Sequence, residues 1–235
     1  MRFPGRTHPA FIAFLLLVIH GTVLPPDDAA HTFVTGLELR QQQPPARCAP
    51  ALSARLAPLC LVVRSYAEDV ARLWWVKKVD PAIDPPSADK VAFPRIRSGA
   101  LLGVLEVTTL WYDDLDQPVG RGVYTLRYLR APADALHTSL LRWTDTLLLV
   151  PVADDGSPDR AWDPLALQAA ATDSTVGPHP RSMALVPTPM RKGPRRQDPP
   201  KLWANERGQV LLAFWLDHLP LSVVVSGSAL PSSHQ

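Results

Sequence analysis

The chain has 235 residues, 46% of them hydrophobic, enough for one ordinary domain with a real core. Its 24 Lys and Arg nearly balance 22 Asp and Glu, and a net charge of +2 gives no general electrostatic case for nucleic acid or an acidic membrane surface. Twenty-six prolines against 12 glycines exclude a bundle of long helices, because proline is barred from helix interiors and central strands.

Residues 1–30 read as a cleavable export signal: Arg2 and Arg6 precede an apolar run from Ala10 to Ile19, broken by His20 and Pro25-Pro26. The alternative is an uncleaved anchor or a misplaced start. The run is short for a membrane span, so the mature chain is expected to have none and to reside in the periplasm or outside the cell. Residues 31–50, with Gln41-Gln42-Gln43-Pro44-Pro45, read as a flexible leader, 51–228 as a single domain and 229–235 as a disordered tail. Cys48 and Cys60 are the only cysteines, and an oxidising compartment favours a disulfide between them, two separate buried thiols being the alternative. Between them Leu52, Leu56 and Leu59 fall on one face of a short helix that opens at Pro50.

Strands are expected at Leu61–Val63 and Arg72–Lys78, then a proline-rich loop over Val79–Pro94. Leu101–Thr108 and Gly122–Tyr128, joined by the acidic turn Asp113–Gly120, form the strongest hairpin. In its second strand Tyr124, Leu126 and Tyr128 share one face and Thr125 and Arg127 the other. Thr146–Val150 is a fully apolar strand. Asp163-Pro164 caps a short helix over Leu165–Ala171. Met183–Val186 is a further strand, and Pro187–Pro200, with Arg191, Lys192, Arg195 and Arg196, a solvated loop. Gln209–Leu216 and Leu221–Val225 flank the turn Asp217-His218-Leu219-Pro220. The sum is an all-β fold: a β-sandwich of about seven or eight short strands with one or two short helices.

Gly122-Val123-Tyr124-Thr125-Leu126-Arg127-Tyr128, with Pro132, His137, Asp145, Leu147-Leu148-Leu149-Val150-Pro151 and Asp154 after it, resembles an uncharacterised family of exported bacterial proteins. The resemblance extends from about Trp74 to Gly227 and implies a small β-sandwich without an assigned activity. The chain departs from the family pattern at Ala133–Ser139, where a glycine turn is missing, and at Trp143-Thr144-Asp145-Thr146.

The candidate site is His137, Asp145 and Arg127, with Asp154 and His179 as additions. A carboxylate beside an imidazole can orient a general base or bind a metal, and an arginine fork can take a carboxylate or phosphate. The competing readings are a loop histidine, a turn-capping aspartate and an arginine paired across the outer face of the sheet. Asp113, Asp114 and Asp116 lack the glycine and distal glutamate of a helix-loop-helix calcium loop and read as a solvated turn. Trp74, Trp75, Trp111 and Trp143 are core residues or a sugar platform. No enzyme signature and no cofactor motif is present. Two functions follow: a non-catalytic module binding a protein, peptide or glycan in the envelope, or a metal-dependent or acid–base enzyme centred on His137 and Asp145.

Overall fold

The computed structural model describes residues 34–226, other than 67, 83–92, 116, 131–144, 174–176, 178, 189–194, 197 and 207. The export signal, His137, Trp143, Asp116, Arg191 and Lys192 lie outside the described residues.

Ten strands form one antiparallel sheet, and the two terminal strands approach each other to leave a near-closed barrel. In chain order they are β1 (Gly36–Gln41), β2 (Leu56–Ser65), β3 (Glu68–Val76), β4 (Leu101–Val107), β7 (Gly122–Arg130), β8 (Asp145–Pro151), β9 (Ser182–Pro187), β10 (Lys201–Ala204), β11 (Val210–Leu216) and β12 (Leu219–Ser226). Two short strands, β5 (Trp111–Tyr112) and β6 (Pro118–Val119), form a separate hairpin inside the β4–β7 connection. Around the barrel the order is β1-β2-β3-β4-β7-β8-β9-β12-β11-β10. The chain therefore winds as a meander to β9, then jumps to the far edge and returns.

The expected sandwich is corrected by this continuity: pairing runs unbroken from β1 to β10, so among the described residues these strands form one sheet rather than two packed face to face. The sheet curls instead. Bulges at Leu56/Cys60, Val63/Arg64, Leu101/Gly103 and Val210/Leu211 bend the strands and increase their twist. Gly103 is required at its bulge, since a Cβ there would sit 2.6 Å from the Trp74 carbonyl oxygen and 3.0 Å from the Trp75 ring. The expected β4–β7 hairpin is present, with Leu105 opposite Tyr124 and Gly103 opposite Leu126. The strand regions expected around Leu61–Val63, Arg72–Lys78, Thr146–Val150, Met183–Val186, Gln209–Leu216 and Leu221–Val225 correspond to β2, β3, β8, β9, β11 and β12. The sheet begins earlier than the expected domain boundary, because β1 falls inside residues 31–50.

Register assigns the two faces. Leu73 and Trp75 face the lumen with Leu61, Leu105, Tyr124, Leu126, Tyr128, Leu147 and Leu149, and Trp75 stacks on Phe214 across the barrel with ring centroids 4.4 Å apart. The lumen is thus a packed apolar core. A second layer covers part of the outer face. Helix α1 (Pro50–Arg55), with the chain leading to it, lies on the side of Cys60 and Trp74, whose indole donates to the Gln42 carbonyl (2.9 Å). Helix α2 (Pro164–Ala171) packs Leu167 and Ala171 on Leu129, Leu148 and Val150. Its start is as expected, with the Asp163 carboxylate accepting from the Leu165 and Ala166 backbone N–H groups at 3.0 and 3.1 Å. Helix α1 is shorter than the leucine spacing implied: it ends at Arg55, and Leu56 and Leu59 belong to β2.

Cys48 and Cys60 are two free, buried thiols, well separated, which corrects the expected disulfide. Cys48 sits in the loop before α1 and Cys60 within β2 opposite Arg40 and Trp74. Burial pushes the Cys60 thiol up to about 12 and also raises that of Cys48.

Candidate functional site

Among the described residues the barrel's two ends differ. The lower rim carries the β4–β7 connection, and there the β5–β6 hairpin turns Trp111 and Val119 into the main core. Asp113 and Asp114 fasten this hairpin. One Asp113 oxygen accepts from the backbone N–H groups of Leu115 (2.9 Å) and Gln117 (2.8 Å), the other from the Gln117 side-chain amide (3.1 Å) and the Ser182 N–H (3.3 Å). The Ser182 hydroxyl meets Asp114 Oδ1 at 2.6 Å. Both carboxylates are buried, so the expected solvated acidic turn is instead a clamp between the hairpin and β9. Burial pushes the Asp113 carboxyl above the ordinary carboxylate range, against the pull of its four hydrogen bonds.

The upper rim carries the β3–β4 connection and the β11–β12 turn. Between them lies an open cavity of about 200 Å³ lined by Val79, Pro81, Ala82, Arg95, His218 and Leu219. The connection is held in place by a bridge from Pro81 to Ile96, by the Ala82 N–H donating to the Arg95 carbonyl (2.8 Å), and by Asp80 pairing with Arg55 of α1 (2.5 Å). On the opposite side Asp217 takes a left-handed φ of +56°, which makes the tight turn into β12, and its carboxylate lies 3.2 Å from His218 Nδ1.

The structure separates the described residues among those singled out from the sequence. Arg127 and Asp145 sit on neighbouring strands but face opposite sides of the sheet. Arg127 is opposite Leu148 on the outer face, and Asp145 is opposite Arg130 on the inner one. Arg127 does not simply pair across the outer sheet surface; it is wholly buried beneath the 152–163 loop. All five of its N–H groups are used. Nε and Nη2 donate to the two oxygens of Asp155 (2.6 and 2.9 Å), Nη2 also to the Ser157 carbonyl (2.5 Å), and Nη1 to those of Gly99 (3.1 Å) and Pro158 (2.9 Å). Thr125 adds a 2.6 Å bond to Asp155. This fork is consumed in fastening the outer loop to the barrel.

Asp145 is buried in the upper part of the lumen and accepts a hydrogen bond from the Tyr128 hydroxyl. Burial, reinforced by Asp145, pushes the Tyr128 phenol above its ordinary range. Arg130 stands beside them, its guanidinium donating to the Phe93 (3.2 Å) and Ile96 (3.4 Å) carbonyls. Asp154 is exposed on the outer loop next to Asp155. His179 is half-buried on the approach to β9, at the lower rim. Trp74 and Trp111 are core residues, and Trp75 is half-buried in the lumen.

Among the described residues no group of three or more His, Cys, Asp or Glu side chains is placed to hold a metal, and no helix is long and apolar enough to cross a membrane. Asp155, Arg95 and His218 were absent from the sequence-derived site. Asp155 could have been found only by weighing it equally with its neighbour Asp154, and nothing in the sequence distinguishes Arg95.

No family model, no curated protein and no solved structure matches the chain. The family resemblance of the Gly122–Tyr128 and Asp145–Pro151 segments therefore rests on those residues alone.

Proposed function

We propose that the chain is an exported, non-catalytic binding module that takes its ligand at the upper rim of the barrel. The observation that carries this reading is a contrast among the described residues: the clamped β5–β6 hairpin packs into the lower rim, and at the upper rim a mainly apolar cavity lies between the β3–β4 connection and the β11–β12 turn. Concave, mainly apolar sites with a few polar groups at their edge are the usual form of a ligand site, and barrel mouths are among their usual places. Export rests on the basic, apolar segment at residues 1–30, and an envelope protein, peptide or glycan remains the partner class in view. The alternative enzyme centred on His137 and Asp145 draws less support, since the Asp145 carboxylate already takes the Tyr128 hydroxyl and Arg127 is locked on the other face.

The test is amide chemical-shift mapping of the ¹⁵N-labelled protein with a panel of small acids, amides, alcohols, sugars and tripeptides. Shifts clustering at Val79, Asp80, Ala82, His218 and Leu219 are expected. Shifts confined to the lower rim, or none from any member of the panel, contradict the proposal.

A further inference from the structure

We infer that the upper-rim cavity is a site for a small monocarboxylate with a short apolar body. This rests on the reading of the upper rim as the binding end and adds the chemical class of the ligand. Four of the six lining residues, Val79, Pro81, Ala82 and Leu219, are apolar; the other two are Arg95 and His218. Arg95 is exposed and forms no ion pair among the described residues. Arg97 lies 3.9 Å from Asp80, which also takes Arg55 at 2.5 Å. Across the cavity the Asp217 carboxylate lies 3.2 Å from His218 Nδ1 and forms no ion pair with Arg95. That contact occupies His218 Nδ1 and leaves Nε2 as the nitrogen available to a ligand.

The site therefore offers one planar fork and one imidazole nitrogen above an apolar floor. A guanidinium fork matches a carboxylate with two parallel hydrogen bonds. Arg95 is the one arginine or lysine among the lining residues; one guanidinium balances a monoanion, whereas a doubly charged phosphate calls for further cations. The cavity of about 200 Å³ is below the roughly 300 Å³ at which drug-sized sites begin, which limits the apolar body to about four to six carbons. A free short-chain acid or the C-terminal leucine of a peptide would supply the same chemistry.

The experiment titrates the ¹⁵N-labelled protein with hexanoate, hexanamide, Gly-Gly-Leu and Gly-Gly-Leu-amide, in wild type and Arg95→Gln. At least one acid should shift the amides of Val79, Asp80, Ala82, His218 and Leu219 and bind about tenfold more tightly than its amide, the value of one charge-assisted hydrogen bond. Arg95→Gln should remove that difference without moving the melting temperature, since the side chain is exposed. Preference for hexanoate identifies a free acid, and preference for Gly-Gly-Leu a peptide terminus. Equal binding of acid and amide at the same residues overturns the carboxylate inference and leaves the upper-rim site standing. No shift there from any of the four compounds overturns the carboxylate inference, and a response of the upper rim to a sugar or alcohol would then keep the binding end without it.

Discussion

Removing Asp155 tests whether the chemistry-bearing residues of β7 serve the fold. In Asp155→Ala the Arg127 guanidinium keeps its charge and its bonds to the Gly99, Ser157 and Pro158 carbonyls but loses the only carboxylate it touches among the described residues. Both side chains are 0% exposed, so solvent screening offers no discount. Truncating one partner of a buried pair destabilises by about 3–5 kcal/mol, because the remaining charge is left buried. At about 2–4 °C per kcal/mol for a domain of this size, the melting temperature should fall by about 6–20 °C. The double variant Arg127→Met with Asp155→Leu removes both charges and should be more stable than Asp155→Ala alone. Urea denaturation followed by tryptophan fluorescence and circular dichroism measures all three proteins. A change below about 0.5 kcal/mol for Asp155→Ala, the range of ordinary surface substitutions, would refute the buried pair.

Tyr128→Phe leaves the buried Asp145 carboxylate without that donor and should destabilise by about 1–3 kcal/mol in the same assay; an unchanged midpoint contradicts the contact. Gly103→Ala places a methyl against the Trp74 carbonyl and should lower the melting temperature, whereas an unchanged value would mean that the bulge relaxes freely. Both thiols should resist iodoacetamide at pH 8 in the native protein and yield two labels per chain in denaturant by mass spectrometry; rapid native labelling contradicts their burial. The raised Asp113 carboxyl gives a signed pH effect. When both folded and unfolded states are protonated it carries no penalty. As pH rises above the ordinary carboxylate value the unfolded chain ionises first, so stability falls until the folded group ionises too. The stability of wild type relative to Asp113→Asn should therefore decline with rising pH through the acid range, and an increase contradicts the assignment.

Much of the strand content was legible because alternation and composition are local. The β4–β7 hairpin announces itself through Leu105 and Val107 against Tyr124, Leu126 and Tyr128, and α2 through its Asp163-Pro164 start. Strand β1 was overlooked although Leu37 and Leu39 alternate with Glu38 and Arg40, because the Gln- and Pro-rich run directly after it reads as leader. Strand β10 has four residues, too few for a period. Closure into a barrel is not a local property: it depends on β1 and β10 meeting, and no residue encodes that alone. The site was harder still. Asp154 and Asp155 are adjacent in one turn, and only the path of the backbone decides which of them reaches Arg127. Arg127 shares the outer face with Thr125, as its strand position implies, but the loop that covers it is fixed by tertiary packing. The His218 cavity joins loops more than a hundred residues apart, which no spacing rule connects.

The most direct test of the central claim fills the cavity. Ala82→Trp should abolish the shift response of His218 and Leu219 to whichever small probe binds wild type, with the melting temperature unchanged. An undiminished response in this variant would place the ligand elsewhere and contradict the upper rim as the binding end.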